Sequence, residues 1–415
     1  MLFALGAWFY VSRVIVAFQI RDAVAHDRPR GNLSDLYPRW LGARELLLHG
    51  RDPYSPEITR EIQQGYYGRP LDASRPGDPQ DQAAFAYPVY VVFLIAPTIF
   101  MPFTQVQLLF TALLWFVTGL SVLLWLRVVG WKPPLHILAA IVILTLGSLP
   151  VIQAIKLQQL TLLVAALLAG CFAALASGYF VLAGILLALA TIKPQLALLP
   201  VLWLMAWSFA RWHERWRLLA AFSAAILALL AGAQYVLPGW IGRFIIGLRN
   251  YHAYTHNASL LQLLSTPTAG YALSGALILL TAWFCRRAFW AASDSAEFAA
   301  SASLALALVV VTVPMFALYN QVLLLPPLLV LVRDRKSHSE RRAGRFLFGI
   351  TAILLSWPWV ASLLLDLALI FFPANLVQDQ WKLPFYTSFT LPIFVFMTLA
   401  FKIAKTGDSP ELPCA

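Results

Sequence analysis

The chain has 415 residues, of which 60% are hydrophobic and 12% are charged, and its mean hydropathy is +0.74. These values lie far outside the range of soluble globular proteins and indicate an all-α polytopic membrane protein. The formal net charge of +11 does not point to nucleic-acid binding, because basic residues in a membrane protein mostly mark its cytoplasmic loops. We therefore expect the lipid bilayer, and no nucleic acid, as its surroundings.

Membrane-spanning helices are predicted from the basic clusters that separate the apolar runs. The clusters occupy 127–132, 211–217, 286–287, 333–345 and 402–405. If all of them are cytoplasmic, twelve spans with both termini in the cytoplasm satisfy every cluster. The first span has no basic start and no small-residue cleavage site after it, so we expect a retained helix rather than a signal peptide. The predicted spans are 1–20, 105–126, 135–150, 159–177, 179–192, 194–210, 218–238, 271–285, 298–316, 321–332, 345–372 and 386–403.

One apolar run, residues 87–103, does not fit this scheme. Counted as a full span, it would place every later basic cluster on the wrong side of the membrane. It is also shorter than the ~20 residues that a span needs, and Pro88, Pro97 and Pro102 interrupt it. We predict a re-entrant or interfacial segment within a single domain that covers residues 1–415.

The loops on the opposite, outer face include a large one at residues 21–86 and a smaller one at 239–270. The large loop has nearly equal numbers of arginines and acids, so we expect ion pairs within it. Its stretch "LYPRWLGARELLLHG" has apolar residues at helical spacing and ends at Gly50, a helix stop. This pattern predicts an amphipathic helix along the outer membrane surface.

Several short motifs occur in an order that resembles a known family. An acidic residue, Asp35, follows the first helix, and then come "HGRDPYSP", "FAYPVYVVFLIAP", "IKLQQLTLLVAALL", "LAGILLALATIKPQLALLP", "NASLLQLL" and "VPMFALYNQVLLLPPLLVL". Together they resemble glycosyltransferase family 87 of the GT-C superfamily, whose members are polyprenyl-phosphate-mannose-dependent mannosyltransferases. In "IKLQQL", Leu157 stands where this family usually has glycine.

The resemblance implies a GT-C fold in the cell membrane with an active site that faces outward. The expected reaction moves a sugar, mannose by resemblance, from a polyprenyl-phosphate donor to a hydroxyl of a glycolipid or polysaccharide acceptor. Such chemistry needs a base for the hydroxyl and cations for the phosphate. Asp35 stands where the family has its catalytic acid and is the expected base. Its alternative role is the N-cap of the helix that follows.

Three basic residues are the predicted contacts of the donor phosphate: Lys193, Lys156 and Arg249. Lys193 ends a short span before Pro194, and a lysine buried there needs an anionic partner. That partner is either the lipid phosphate or a carboxylate such as Asp366 or Asp379. Lys156 has a simple interfacial anchor as its alternative.

Aromatic and planar polar residues near these positions are the predicted substrate contacts, because such groups commonly bind sugars. They are Tyr54, Tyr87, Gln158, Gln159, His252, His256, Asn257, Tyr319 and Asn320. Some relatives have a histidine at the late polar element, where Asn320 can donate a hydrogen bond but carries no charge.

No metal or other cofactor is expected. His252 and His256 lack the accompanying glutamate of a zinc motif, and Cys171, Cys285 and Cys414 have no zinc-site or disulfide spacing. A lipid or lipid-linked-sugar flippase is the alternative function, although the chain has no visible internal repeat of the kind that many transporters show.

Overall fold

The computed structural model describes residues 1–27, 29, 34–72, 74–75, 77–255, 258–314, 316–335 and 342–407. Within these ranges the chain forms α-helices, short 3-10 turns and one π turn, with no β-strand. The all-α prediction is therefore confirmed. His256, Asn257 and Cys414 lie outside the described residues.

The helices are numbered in chain order. They are α1 (Leu2–Ala25), α2 (Leu36–His49), α3 (Pro56–Tyr67), α4 (Val91–Ile95), α5 (Phe103–Val128), α6 (Leu135–Leu146), α7 (Leu149–Lys156), α8 (Thr161–Ala176), α9 (Phe180–Ala190), α10 (Pro194–Ala210), α11 (Trp212–Val236), α12 (Trp240–Thr255), α13 (Leu260–Leu263), α14 (Pro267–Phe284), α15 (Ala296–Thr312), α16 (Leu325–Arg333), α17 (Arg342–Phe371), α18 (Ala374–Asp379) and α19 (Leu391–Gly407). α1 contains the π turn Val11–Ile15, α4 runs into the 3-10 turn Ala96–Thr98, and the 3-10 turn Leu318–Leu324 runs into α16.

Apolar helices stand at all twelve of the predicted span positions. Among the described residues, five are long and apolar enough to cross a membrane, and α6 with α7 makes a sixth if this pair, bent by 53°, is one span. Six further apolar segments are shorter. Several long helices expose most of their apolar side chains. In α11, only 11% of the most apolar 18-residue stretch is buried within the protein. Exposed apolar surface of this extent needs lipid to cover it, so the chain is a multi-pass membrane protein.

The helix predicted in the first large loop is α2. It ends at Gly50, whose φ of 65° is the left-handed conformation typical of a helix stop. Its apolar side is covered by protein, because Leu36 and Trp40 are buried and the Trp40 indole donates a hydrogen bond to the Thr98 carbonyl at 3.2 Å. The Trp40 ring also packs on Phe103 at 5.2 Å. The helical core therefore covers most of the apolar side of α2, while Leu48 stays exposed.

Residues 87–103 do not form one continuous helix. The five-residue α4 and its 3-10 turn occupy the middle of this segment, and α5 begins only at Phe103. Val91, Val92 and Ile95 are fully buried, so the segment is part of the protein core. Its entry into the membrane as a re-entrant loop stays a prediction.

Ion pairs fix the first large loop, as its charge balance predicted. Arg51 bonds both Glu45, at 2.9 Å, and Glu61, at 2.5 Å. Arg243 reaches from α12 to Asp52 at 3.1 Å and so connects this loop to residues 239–270. Solvent-exposed pairs of this kind add little to the free energy of folding, so they orient the loops more than they stabilise the fold.

Gly184 is the glycine of "LAGILLALATIKP", and it lies where α9 crosses α11. A β-carbon at this position would stand 2.5 Å from the Leu218 carbonyl oxygen and 2.7 Å from the Phe222 amide nitrogen. Both are backbone atoms, so a side chain here forces the helices apart. The close approach of α9 to α11 therefore requires glycine.

We expect Gly184→Ala to destabilise the protein by about 1–3 kcal/mol, the usual cost of overpacking. Gly119→Ala in α5 is the matched control, because nothing lies within 4 Å of the added methyl group. The thermal unfolding midpoint in detergent should fall for the first variant and stay equal or rise for the second. Equal midpoints for both variants would show that α9 and α11 do not need this close contact.

Candidate active site

A cavity of about 460 Å³ lies where the start of α2 meets the helical core. Its wall combines the first large loop with the turn between α7 and α8, the connection between α9 and α10, and α12. The predicted site residues on this wall are Asp35, Tyr87, Gln159, Lys193, His252, Tyr319 and Asn320. The fold thus brings together residues that are up to 285 positions apart, from 35 to 320.

Asp35 stands directly before α2 but does not act as its side-chain cap. Although it occupies the N-cap position, its carboxylate accepts no hydrogen bond from the helix backbone. The carboxylate instead accepts hydrogen bonds from the Gln159 side-chain amide and from the Tyr66 hydroxyl, the latter at 3.3 Å. Its backbone N–H donates to the Leu157 carbonyl at 3.0 Å. The side chain therefore faces the cavity and not the helix end.

Lys193 reaches the same cavity from the N-terminus of α10, where Pro194 begins the helix. It is only 4% exposed, and its ammonium donates to the Gln159 side-chain oxygen at 2.9 Å and to the Thr161 hydroxyl at 2.6 Å. The ammonium also lies 4.9 Å from the Tyr319 ring centre and 5.9 Å from that of Tyr87. Aromatic faces attract cations and stabilise the charge at this depth.

Within the described residues, neither carboxylate considered as an alternative partner contacts Lys193. Asp379 pairs with Arg21, and both side-chain oxygens of Asp366, on α17, are buried without a hydrogen-bond partner. An ammonium has three protons to donate, and Lys193 uses two of them on neutral side chains. One donor remains for a ligand in the cavity.

The two glutamines after α7 have different surroundings. Gln158 is buried with a φ of 50°, it accepts a hydrogen bond from Ser34, and it donates to Thr111 at 3.0 Å. Left-handed backbone favours glycine, and here a glutamine adopts it. Of the pair, only Gln159 lines the cavity.

Five charged or polar residues on the wall were not among the predicted site residues: Arg39, Tyr66, Asp81, Gln195 and Tyr251. Arg39 lies one helical turn after Asp35, donates to the Asp35 carbonyl, and stacks its guanidinium over Tyr87 at 4.5 Å. The i, i+4 spacing from Asp35 was the available signal. The amphipathic pattern of α2 predicts instead that its charged side faces water, so Arg39 was not included among the site residues.

Burial determines the protonation behaviour of the central pair. It raises the pKa of Asp35 above the ordinary 3.8, against the opposing charges of Arg39 and Lys193. Burial, and then the nearby charge of Arg39, lowers the pKa of Lys193 to about 7. Burial therefore makes the carboxylate a stronger base and the ammonium a stronger acid than in water.

The structure does not bring every predicted residue to this cavity. Tyr54 does not line the cavity, and its hydroxyl donates to the Tyr87 carbonyl at 2.6 Å. Gln158 faces the core. Lys156 is exposed and lies 3.4 Å from the Ser12 hydroxyl. Arg249 is exposed on α12. The part of the chain that the structure describes contains no group of three or more potential metal ligands, and the expectation of a metal-free site stays a prediction.

A second cavity, of about 440 Å³, lies behind the first. Its wall is almost wholly apolar and comes from α1, α6, α7, α16, α17 and α19. The 3-10 turn Leu318–Leu324 separates the two spaces, because Tyr319 and Asn320 line the first cavity while Leu318 and Gln321 line the second. A polar cavity and an apolar one therefore share a single turn as their wall.

Comparison with known proteins gives one match. The family model of glycosyltransferase family 87 matches residues 85–314, which is more than half of the chain. No curated protein and no solved structure matches the chain. The matched range contains Gln159 and Lys193 and begins after Asp35, which joins it through the hydrogen bond to Gln159. The chain thus belongs to glycosyltransferase family 87 and is a membrane glycosyltransferase with an all-helical, polytopic fold of the GT-C type.

Proposed function

We propose that this protein transfers a hexose, mannose in the first instance, from a polyprenyl-phosphate donor to a hydroxyl of a glycolipid or polysaccharide acceptor. The reaction takes place in the 460 Å³ cavity, on the outer face of the cell membrane. Asp35 is the general base, and Lys193 binds the donor phosphate. The observation that carries the proposal is the convergence of a partly buried carboxylate and a buried ammonium on one cavity without direct contact between them.

The reaction needs one proton transfer and one displacement. The Asp35 carboxylate takes the proton of the acceptor hydroxyl, and the acceptor oxygen forms a bond to the anomeric carbon. The bond between that carbon and the phosphate oxygen breaks, and its electron pair stays on the phosphate. Lys193 stabilises the added negative charge, and Arg39 supplies a second positive charge nearby.

The second, apolar cavity supports a lipid-linked substrate. Its wall offers apolar side chains of several membrane-facing helices next to the polar cavity. A prenyl chain that lies in this space is removed from water. Lys156 and Arg249 have no part in this proposal, because neither lines the cavity.

Replacement of the base is the first test. Asp35→Asn keeps the shape but cannot accept a proton, so we expect kcat to fall about 10²–10⁴-fold. The assay is transfer from radiolabelled polyprenyl-phosphate sugars, including hexose and pentose donors, by purified protein in liposomes. Asp294→Asn, at an exposed position, is the matched control and should keep wild-type activity. Lipid movement across the vesicle membrane without sugar transfer by the wild type would instead favour the flippase.

Loss of the phosphate-binding charge is the second test. Lys193→Met keeps most of the length and the apolar stem of the side chain, so we expect kcat/KM for the donor to fall about 10²–10³-fold. Lys382→Met removes an exposed lysine and should have little effect. An unchanged kcat/KM in Lys193→Met would remove this residue from the phosphate site.

The pH dependence of kcat/KM is the third test. Asp35 must be ionised, and because burial raises its pKa, activity should be lost on the acid side at a pH above the ordinary 3.8. Lys193 must be charged, and because its pKa is lowered to about 7, activity should fall as the pH rises through that region. In Lys193→Arg the cation does not titrate, so the alkaline loss should disappear. Its persistence in that variant would assign it to another group.

A further inference from the structure

Gln159 holds both central residues of the cavity at once. Its side-chain N–H donates to the Asp35 carboxylate, and its side-chain oxygen accepts from the Lys193 ammonium at 2.9 Å. The residue is only 4% exposed, and its backbone N–H is fixed to the Ala154 carbonyl at 2.8 Å. The amide is therefore a fixed bridge between the carboxylate and the ammonium.

The chemistry of the two neighbours allows one orientation of this amide. An ionised carboxylate only accepts hydrogen bonds, and an ammonium only donates them. The NH₂ group of Gln159 must then face Asp35, and its oxygen must face Lys193. No other neutral side chain of this length offers a donor and an acceptor in this fixed arrangement.

Separation by the amide has an electrostatic consequence. In a direct ion pair, Lys193 would stabilise the ionised Asp35 strongly and lower its basicity. The same contact would occupy the ammonium and weaken its hold on a phosphate. A neutral amide between them leaves the carboxylate basic and the ammonium available, while its hydrogen bonds still position both groups.

We propose that Gln159 is a positioning residue that keeps the Asp35 base and the Lys193 phosphate contact bridged but apart. This inference rests on the proposed function of the site. Gln159 takes no proton and forms no bond to the sugar. It acts through the other two residues, and through the Thr161 hydroxyl, which also accepts from Lys193 at 2.6 Å.

Several other groups face Asp35 and belong in any account of its titration. Arg39 faces it from α2, Tyr66 from α3, and Asp81 from the loop before α4. Tyr87, Tyr251 and Tyr319 face it across the cavity. All of them stay in place when Gln159 alone is replaced, so a shift of the Asp35 titration in that variant reports the loss of the amide.

Two replacements of Gln159 should move the acid limb of the pH profile of kcat/KM in opposite directions. Gln159→Leu keeps the spacing but removes the hydrogen bond to ionised Asp35, so the limb should move up by about one pH unit. Gln159→Ala opens space for a direct contact between Asp35 and Lys193, so the limb should move down. KM for the donor should rise more in the alanine variant, because Lys193 is then occupied.

Gln105→Leu, an exposed position on α5, is the control and should keep the wild-type profile. A purely structural role would lower the unfolding midpoint and leave the pH limbs in place. Should Gln159→Leu fail to fold, the isosteric Gln159→Glu serves, since its negative charge beside Asp35 should also move the acid limb up. An unchanged limb in the folded variants, or shifts of the same sign in Leu and Ala, overturns the inference. A wild type that transfers no sugar overturns the proposed function instead.

Discussion

The buried charge of Lys193 is the constraint on which the rest of the site depends. An ammonium at 4% exposure loses most of its hydration, and the described part of the chain gives it two neutral oxygens and two aromatic faces instead of a carboxylate. Such surroundings stabilise the charge only in part, because they contain no countercharge in contact with it. A lysine held in this way is prepared for an anionic ligand, and the family match makes the chain a glycosyltransferase.

The fold brings the proposed base, Asp35, to the same cavity from a distant part of the sequence. Asp35 lies before the matched region, yet its backbone N–H is fixed to the Leu157 carbonyl at 3.0 Å. The apolar side of α2 is held on the core by Trp40, through its bond to Thr98. Helix packing on one side and a single glutamine on the other therefore determine where the carboxylate stands. The first large loop is part of the site and not a separate surface structure.

Much of the fold could be predicted because membrane segments carry strong local signals. Apolar length and basic clusters gave the position of the twelve apolar segments, and Gly50 gave the end of α2. Asp35 and Lys193 were identified from motif order and from the cost of burying a charge. That the two residues line one cavity is visible only once the helices are packed.

The sequence does not show which of the other predicted residues line the cavity, because that depends on side-chain direction and not on residue type. Gln158 and Gln159 are adjacent and identical, and only the left-handed backbone at Gln158 sends one side chain to the core and the other to the cavity. Arg39 was not among the predicted site residues, because the sequence does not show that the loop folds over the core. Lys156 lies at a helix end as Lys193 does, but it faces outward.

A structure with a non-transferable polyprenyl-phosphate sugar bound tests the central claim most directly. The account predicts that the phosphate lies within hydrogen-bond distance, roughly 3 Å, of the Lys193 ammonium, with the anomeric carbon turned toward the side of the cavity that holds Asp35. A phosphate bound at Lys156 or Arg249, with Lys193 still held only by Gln159 and Thr161, would contradict it.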